Sequence, residues 1–445
     1  MNLPSLGGAG LQRLEPPLLS LAPSSLSRRV VAGVGANVVG QAATILMQLC
    51  SLPLFLHFWS MRHYGEWLLT AAIPAYFSLA DAGLVAVASN KMTMLSARGQ
   101  QREANEIFQT ALALTLLVSA ACFVATIALV WNLPLESLTS RDTKLTLSIL
   151  SAVALLNVFT GLFDAVFRAA GFFASGVYAI NLGRLVEWAG GMLALALAGS
   201  MVAVATGMLL ARLAVTLSLV GYSTLRFQMF EWHVRGANLR ELRAIMLPSL
   251  SFLAFPVGNL LSFQGMTVLV GSACGPVLLA LFSSYRTVAR LLVQLLATFS
   301  RSLWPELSRA FGTGDEVLLR RMYVSGTRFA TAGSLGACVL LIVFGRSIIE
   351  HWTGGKIPYD QRLFGLSILV ALLSCLWQVK LVLLQATNRH LHLAALYLIG
   401  SLLSLAAAAA LLQPLGLAGA LCALGAFELL MMAVSRNFVA RLLRG

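Results

Sequence analysis

RFQMFEWHVRGANLRELRAIM, residues 226–246, is the longest polar break inside an otherwise apolar chain, and its position decides the fold. It holds four arginines, two glutamates and a histidine, side chains that a hydrocarbon core penalises heavily. Outward from it in both directions, apolar windows of about 20 residues recur, each long enough to cross a bilayer as a helix. Six precede the break, near 31–57, 66–89, 107–131, 146–167, 176–198 and 201–225. Six follow it, near 247–271, 276–300, 327–346, 363–386, 392–412 and 416–435. The expected fold is an all-α polytopic membrane protein with about twelve transmembrane helices in two six-helix lobes, 28–225 and 247–445. Residues 226–246 join the lobes as a cytoplasmic linker, and 1–27, rich in Pro, Leu, Ser and Gly, are expected to be a disordered tail. Six crossings in each half give the halves the same orientation, as in parallel repeats about an axis along the membrane normal. A faint echo agrees: "LSARGQQREANEIF" (95–108) follows the second span and "LSRAFGTGDEVLLRRMY" (307–323) follows the eighth.

The chain of 445 residues is 58% hydrophobic and 11% charged, where an ordinary soluble domain carries about 25% charged residues. Its net charge of +14 does not point to nucleic acid, because the cations concentrate in the short connections between apolar spans. With the N-terminus in the cytoplasm, twenty Lys and Arg fall on that side, against six on the other (Arg62, Arg141, Lys144, Arg346, Lys356 and Arg362). The positive-inside rule therefore places both termini in the cytoplasm. The first span is too long for a secretory signal peptide and reads as a retained helix. Six scattered cysteines without CxxC spacing are expected to be small buried hydrophobes, and no metal site or cofactor is expected. No G-x-x-x-x-G-K-[ST], H-E-x-x-H or G-x-S-x-G is present, which argues against an ATP-driven pump or a hydrolase and for a protein that is not an enzyme.

Polar residues inside the spans fall on stripes. At 100° per residue, Asn37, Gln41, Thr44 and Gln48 of the first span share a sector of about 60°. Asn157, Gly161, Asp164 and Arg168 do so in the fourth span, Asn181, Arg184 and Trp188 in the fifth, and Ser374, Gln378 and Gln385 in the tenth. The eighth span, "SSYRTVARLLVQLL" (283–296), carries Ser283, Arg286, Thr287, Arg290 and Gln294, with Arg301 beyond. A lipid-facing Arg costs about 2.5–3.5 kcal/mol at mid-bilayer, so stripes on several spans imply a shared polar cavity. Simple alternatives stand beside this. Asp164 and Arg168, at i and i+4, can neutralise each other, and Arg184 and Glu187 can do likewise. Lys380 can snorkel to the cytoplasmic surface, while Asn37, Gln41, Asp81 and Glu428 can tie helices together. Arg286 and Arg290 have no acid within a turn, which leaves two readings. Either they bind an anionic group, a diphosphate suiting two guanidinium forks one turn apart, or they pair with Asp81, Asp164 or Glu187 from another helix. Pro74 and Pro256 lie inside spans two and seven, where each is expected to kink its helix as a static bend or a gate.

One region resembles a known family. Tyr64–Gly65–Glu66–Trp67, Leu79–Ala80–Asp81–Ala82–Gly83–Leu84, Asn90 and Ala97–Arg98–Gly99 are similar to the bacterial polysaccharide flippases. These O-antigen and exopolysaccharide translocases belong to the multidrug/oligosaccharidyl-lipid/polysaccharide exporter superfamily. "FDAVFRAAG" (163–171), "RLVEW" (184–188), "SYRTVAR" (284–290) and "WPELSRAFG" (304–312) follow in the expected order, so the resemblance covers roughly 28–440. It implies a two-lobed transporter with a central cationic cavity. This would carry undecaprenyl-pyrophosphate-linked oligosaccharide units across the bacterial cytoplasmic (inner) membrane by alternating access. Arg286 and Arg290 would hold the pyrophosphate, with Arg184 and Arg168 as secondary cations. Asn37, Gln41 and Gln294 would meet the rest of the substrate, and Asp81, Asp164 or Glu187 would couple an ion. Partners would be the lipid-linked glycan, membrane lipids, a polysaccharide polymerase and glycosyltransferases. The alternatives are a cation-coupled multidrug exporter, which predicts an acidic cavity, and a non-transporting scaffold, which predicts no polar stripes.

Overall fold

The computed structural model describes residues 23–80, 84–132, 140–238 and 253–443. Six long helical segments form the first lobe. They are α1 (Pro23–Phe58), the broken pair α2 (Met61–Ala72) and α3 (Leu84–Ala97), α4 (Gln101–Asn132), α5 (Arg141–Ala169), α6 (Phe173–Ala198) and α7 (Met201–Arg226). The second lobe holds α8 (Ala254–Leu260), α9 (Met266–Ser302), a short α10 (Trp304–Gly312), α11 (Glu316–Thr353), α12 (Gln361–Ala386), α13 (Leu391–Leu415) and α14 (Leu417–Leu442). α1 already begins at Pro23, inside the stretch expected to be tail; residues 1–22 of that tail lie outside the described residues.

Nine stretches among the described residues are long and apolar enough to cross a membrane, and one of them, 254–312, crosses twice. The chain reverses at Gly275, whose φ of 81° interrupts α9 just before Pro276. The Phe263 carbonyl lies 3.3 Å from the Arg286 guanidinium, although 23 residues of straight helix would span about 35 Å. The α2–α3 pair and α6, which carries Asn181, Arg184 and Glu187 mid-helix, complete twelve crossings. The helices start where their caps dictate. Ser60, Ser140, Ser200, Asp315 and Asp360 each accept a backbone N–H of the first turn. Large apolar side chains such as Leu117, Leu197, Leu217 and Val343 stand mostly exposed on the outside, the surface a bilayer would cover.

The apolar clusters show how the lobes meet. At the end distal to the termini one cluster runs across both lobes, joining Leu52, Phe55, Trp59, Tyr64 and Trp67 to Met266, Val270, Leu279, Phe282 and Tyr285. Toward the terminal end the core divides. Phe108, Phe163, Phe167, Phe227 and Phe230 pack within the first lobe, while Trp377, Leu383, Phe427 and Met431 pack within the second. Gly65 sets the closeness of the lobes: a Cβ there would lie 1.9 Å from the Pro276 carbonyl oxygen, so backbone meets backbone.

The two prolines behave differently from each other. Pro74 opens the 3₁₀ stretch Pro74–Ala80 that breaks span two. Pro256 sits in the first turn of α8, where a proline is tolerated, and the irregularity of span seven comes later, in a π-turn at Leu261–Gly265. The linker is not a free connection either. Trp232 packs on Phe108 and Phe163, both at 4.9 Å between ring centroids, and Gly236 N–H donates to Gln109 at 2.6 Å. Residues 239–246 of the linker lie outside the described residues.

Candidate functional site: a cationic cavity in the second lobe

The polar stripes divide between two recesses, one in each lobe. In the first lobe α1 contributes Asn37, Gln41 and Thr44, α5 contributes Asn157, Thr160 and Asp164, and α6 contributes Asn181 and Arg184, around about 390 Å³. Each stripe faces inward as its spacing requires. The charges here are mostly spent on one another. Asp164 holds Arg168 at 2.7 Å, and Arg168 also stacks on Phe173. Glu187 does not pair with Arg184. It takes Arg212 of α7 at 3.5 Å and accepts from Asn157 at 3.2 Å. Arg212 is 1% exposed and also donates to the Thr160 hydroxyl. The sequence stripes missed this residue because it stands alone in an apolar span. The general rule that an ionisable group inside a span needs a partner would have marked it.

The second lobe encloses a larger cavity of about 660 Å³ between span seven, the 276–302 limb of α9, α12, α13 and α14. Arg286, Ala289, Arg290, Val293, Ala297 and Arg301 line it, one face of α9 at three- and four-residue spacing. Gln294 falls off that face and is not among the lining residues. Ser374, Gln378 and Gln385 of α12 do line it, opposite Asn259 and Ser262 of span seven. Glu428 contributes a carboxylate, which accepts the Trp377 indole N–H at 2.7 Å.

The two central arginines are held unequally. The π-turn Leu261–Gly265 shifts the helical hydrogen-bond register, and Arg286 donates to the carbonyls of Ser262 and Phe263 at 3.3 Å each. Its guanidinium also lies 4.3 Å from the Phe263 ring centroid and 4.9 Å from that of Phe282. Arg290 stacks on the same Phe263 ring at 4.1 Å. Among the described residues Arg290 makes no hydrogen bond or ion pair. With Asp164 and Glu187 committed in the other lobe, neither supplies the carboxylate partner considered from the sequence. Asp81 lies outside the described residues. The cavity therefore offers an open guanidinium fork beside a second one already braced, geometry suited to a multivalent oxyanion.

Comparison with known proteins agrees with this architecture. A search of curated proteins finds no significant match. Among solved structures, the chain is similar to an inward-facing conformation of a multidrug resistance MATE family transporter of the MOP superfamily. The identity is 14%, the coverage 90% of this chain and 98% of that one, and the TM-score 0.75. An outward-facing conformation of a MATE family transporter matches with 15% identity, 94% and 96% coverage and a TM-score of 0.63. A MOP superfamily transporter from Pyrococcus furiosus, described as having a binding pocket of reversed polarity, matches with 15% identity, 94% and 96% coverage and a TM-score of 0.60. The family model for a polysaccharide biosynthesis protein matches residues 85–356, well over half the chain. With twelve crossings in two lobes and the fold of the MOP superfamily transporters, this multi-pass membrane protein belongs to that polysaccharide biosynthesis family.

Proposed function

We propose that the protein is a flippase. It moves an undecaprenyl-pyrophosphate-linked oligosaccharide repeat unit, of the O-antigen, lipopolysaccharide or exopolysaccharide type, across the bacterial cytoplasmic membrane by alternating access, with both termini in the cytoplasm. The observation that carries this reading is Arg290, a guanidinium without hydrogen bond or ion pair among the described residues, facing a polar cavity of about 660 Å³ in a chain of this family. Arg290 takes the pyrophosphate, Arg301 near the cavity mouth assists, and Arg286 is the braced neighbour. Asn259, Ser374, Gln378 and Gln385 meet the sugar nearest the phosphate. The amide-rich recess of the first lobe (Asn37, Gln41, Asn157, Asn181) meets sugars further along, with Arg184 as a secondary cation. The prenyl tail stays in lipid. The divided core at the terminal end, together with the higher TM-score to the inward-facing relative, supports reading this state as open to the cytoplasm.

Driving such a substrate outward does not demand ion coupling. Two negative charges crossing an inside-negative membrane of about 100 mV gain roughly 4–5 kcal/mol. Pairing of Asp164 with Arg168 and of Glu187 with Arg212 also leaves these acids poorly placed to take a cation. The test is a deletion strain complemented with Arg290→Gln. The flippase reading expects surface glycan to be absent in the deletion strain, restored by the wild type and not restored by the variant at equal membrane abundance. Normal surface glycan in the deletion strain, with new sensitivity to cationic drugs, would instead establish the exporter reading.

A further inference from the structure

Two hydrogen bonds and one steric contact join the second lobe to the far end of α1 and α2, and together they make a closure device. Pro53 lies inside α1 and has no N–H, so it cannot serve the carbonyl of Leu49 four residues back. That carbonyl is served from the other lobe: the Trp352 indole N–H, in the last turn of α11, donates to it at 2.7 Å. Leu56 stands in the final turn of α1, where carbonyls have no helical donor and the helix end favours a cation. The Lys356 ammonium, four residues beyond Trp352, donates to the Leu56 carbonyl.

The arm that carries both donors is fixed to its own lobe. The Tyr285 hydroxyl donates to the Pro358 carbonyl at 2.8 Å and accepts the Asp360 N–H at 2.6 Å, while Ile357, 1% exposed, plugs the core behind it. Tyr285 lies on the same helix as Arg286 and Arg290, so the arm and the cationic cavity share one rigid element. Beside the arm, the Gly65–Pro276 backbone contact closes the other half of this end.

From this arrangement we infer that Trp352 and Lys356 are the latch residues of the distal gate. They use two α1 carbonyls without helical donors as catches and hold the lobes together at the end away from the termini. The inference rests on the alternating-access reading above but not on the identity of the substrate. Opening this end breaks both bonds and leaves the Leu49 carbonyl without a protein donor. Each bond therefore biases the gate toward closed by about fivefold, the equivalent of about 1 kcal/mol.

The test is hydrogen–deuterium exchange on the full-length protein in nanodiscs without substrate, read over segments 61–70 and 268–280, which pack against each other across the lobes. Trp352→Phe keeps the ring and removes the N–H; Lys356→Met keeps the chain and removes the charge. Each is expected to raise exchange in both segments about fivefold, and the pair about 25-fold if the bonds act independently, with segment 155–167 of the first-lobe interior unchanged. Unchanged exchange in the double variant overturns the latch, and so does a uniform rise that includes 155–167. Raised exchange in the variants, together with normal surface glycan in the deletion strain, would uphold the latch and reject the flippase reading.

Discussion

Replacing Arg290 by glutamine separates the two central arginines by what each does. Arg290 contacts the Phe263 ring at 4.1 Å and, among the described residues, makes no hydrogen bond or ion pair, so its loss costs the fold about 0.5–1 kcal/mol of cation–π contact. A bound pyrophosphate, in contrast, would lose a charge-assisted hydrogen-bonded partner worth about 1.5–3 kcal/mol, or roughly 10- to 150-fold in affinity. Arg286→Gln inverts the balance. It removes donors to the Ser262 and Phe263 carbonyls and contacts with two aromatic rings, about 2–3 kcal/mol of local support, yet takes little from the ligand. The assay is titration of the purified protein in nanodiscs with a short-chain prenyl pyrophosphate, beside thermal unfolding of each variant. The expected result is weakened binding with a near-native unfolding midpoint for Arg290→Gln, and a lowered midpoint with modestly changed binding for Arg286→Gln. The reasoning fails if Arg290→Gln binds as tightly as the wild type. It fails equally if Arg286→Gln abolishes binding without altering the midpoint.

Two other outcomes follow from the same contacts. Gly65→Ala places a methyl 1.9 Å from the Pro276 carbonyl oxygen, so the lobes are expected to part at that end. Accessibility of the native Cys274 to a small maleimide should rise, and unchanged labelling would show that the contact can relax in place. Arg212→Met strands the Glu187 carboxylate, 9% exposed, without its cation and is expected to cost about 3–5 kcal/mol. The double variant Arg212→Met, Glu187→Leu should recover most of that in thermal unfolding; a double variant no more stable than the single one would assign Arg212 a role beyond pairing.

Much of the architecture was legible because a membrane reduces folding to a few strict rules. Apolar length marked the twelve crossings, including the reversal between 271 and 276 that the Gly275 backbone makes. Helical periodicity placed Asn37, Gln41, Asn157, Asp164 and Arg184 on inward faces, and all five line one recess. Periodicity cannot say which inward faces meet. It therefore did not show that the stripes divide between the lobes, or that Gln294, one position beyond Val293, is not among the residues lining the cavity. The ion pairs depended on the third dimension as well. Glu187 has Arg184 three residues away but takes Arg212 from the next helix. The π-turn that receives Arg286 has no residue signature in "LSFQG". Read as a polar connection, 226–246 did not reveal Phe227, Phe230 and Trp232 as the aromatic residues that anchor it.

If Arg290 takes the pyrophosphate as proposed, the unequal bracing of the two arginines would also set a residence time. A carrier must let go on the far side, and a ligand gripped by two fully open guanidinium forks leaves slowly. Committing Arg286 to the carbonyls of the π-turn withholds roughly 1.5–3 kcal/mol of that grip. If the loss falls on dissociation, as affinity differences within one site usually do, the cargo departs about 10 to 150 times sooner. The turn at 261–265 would then act as a brake on affinity, exchanging tight capture for turnover.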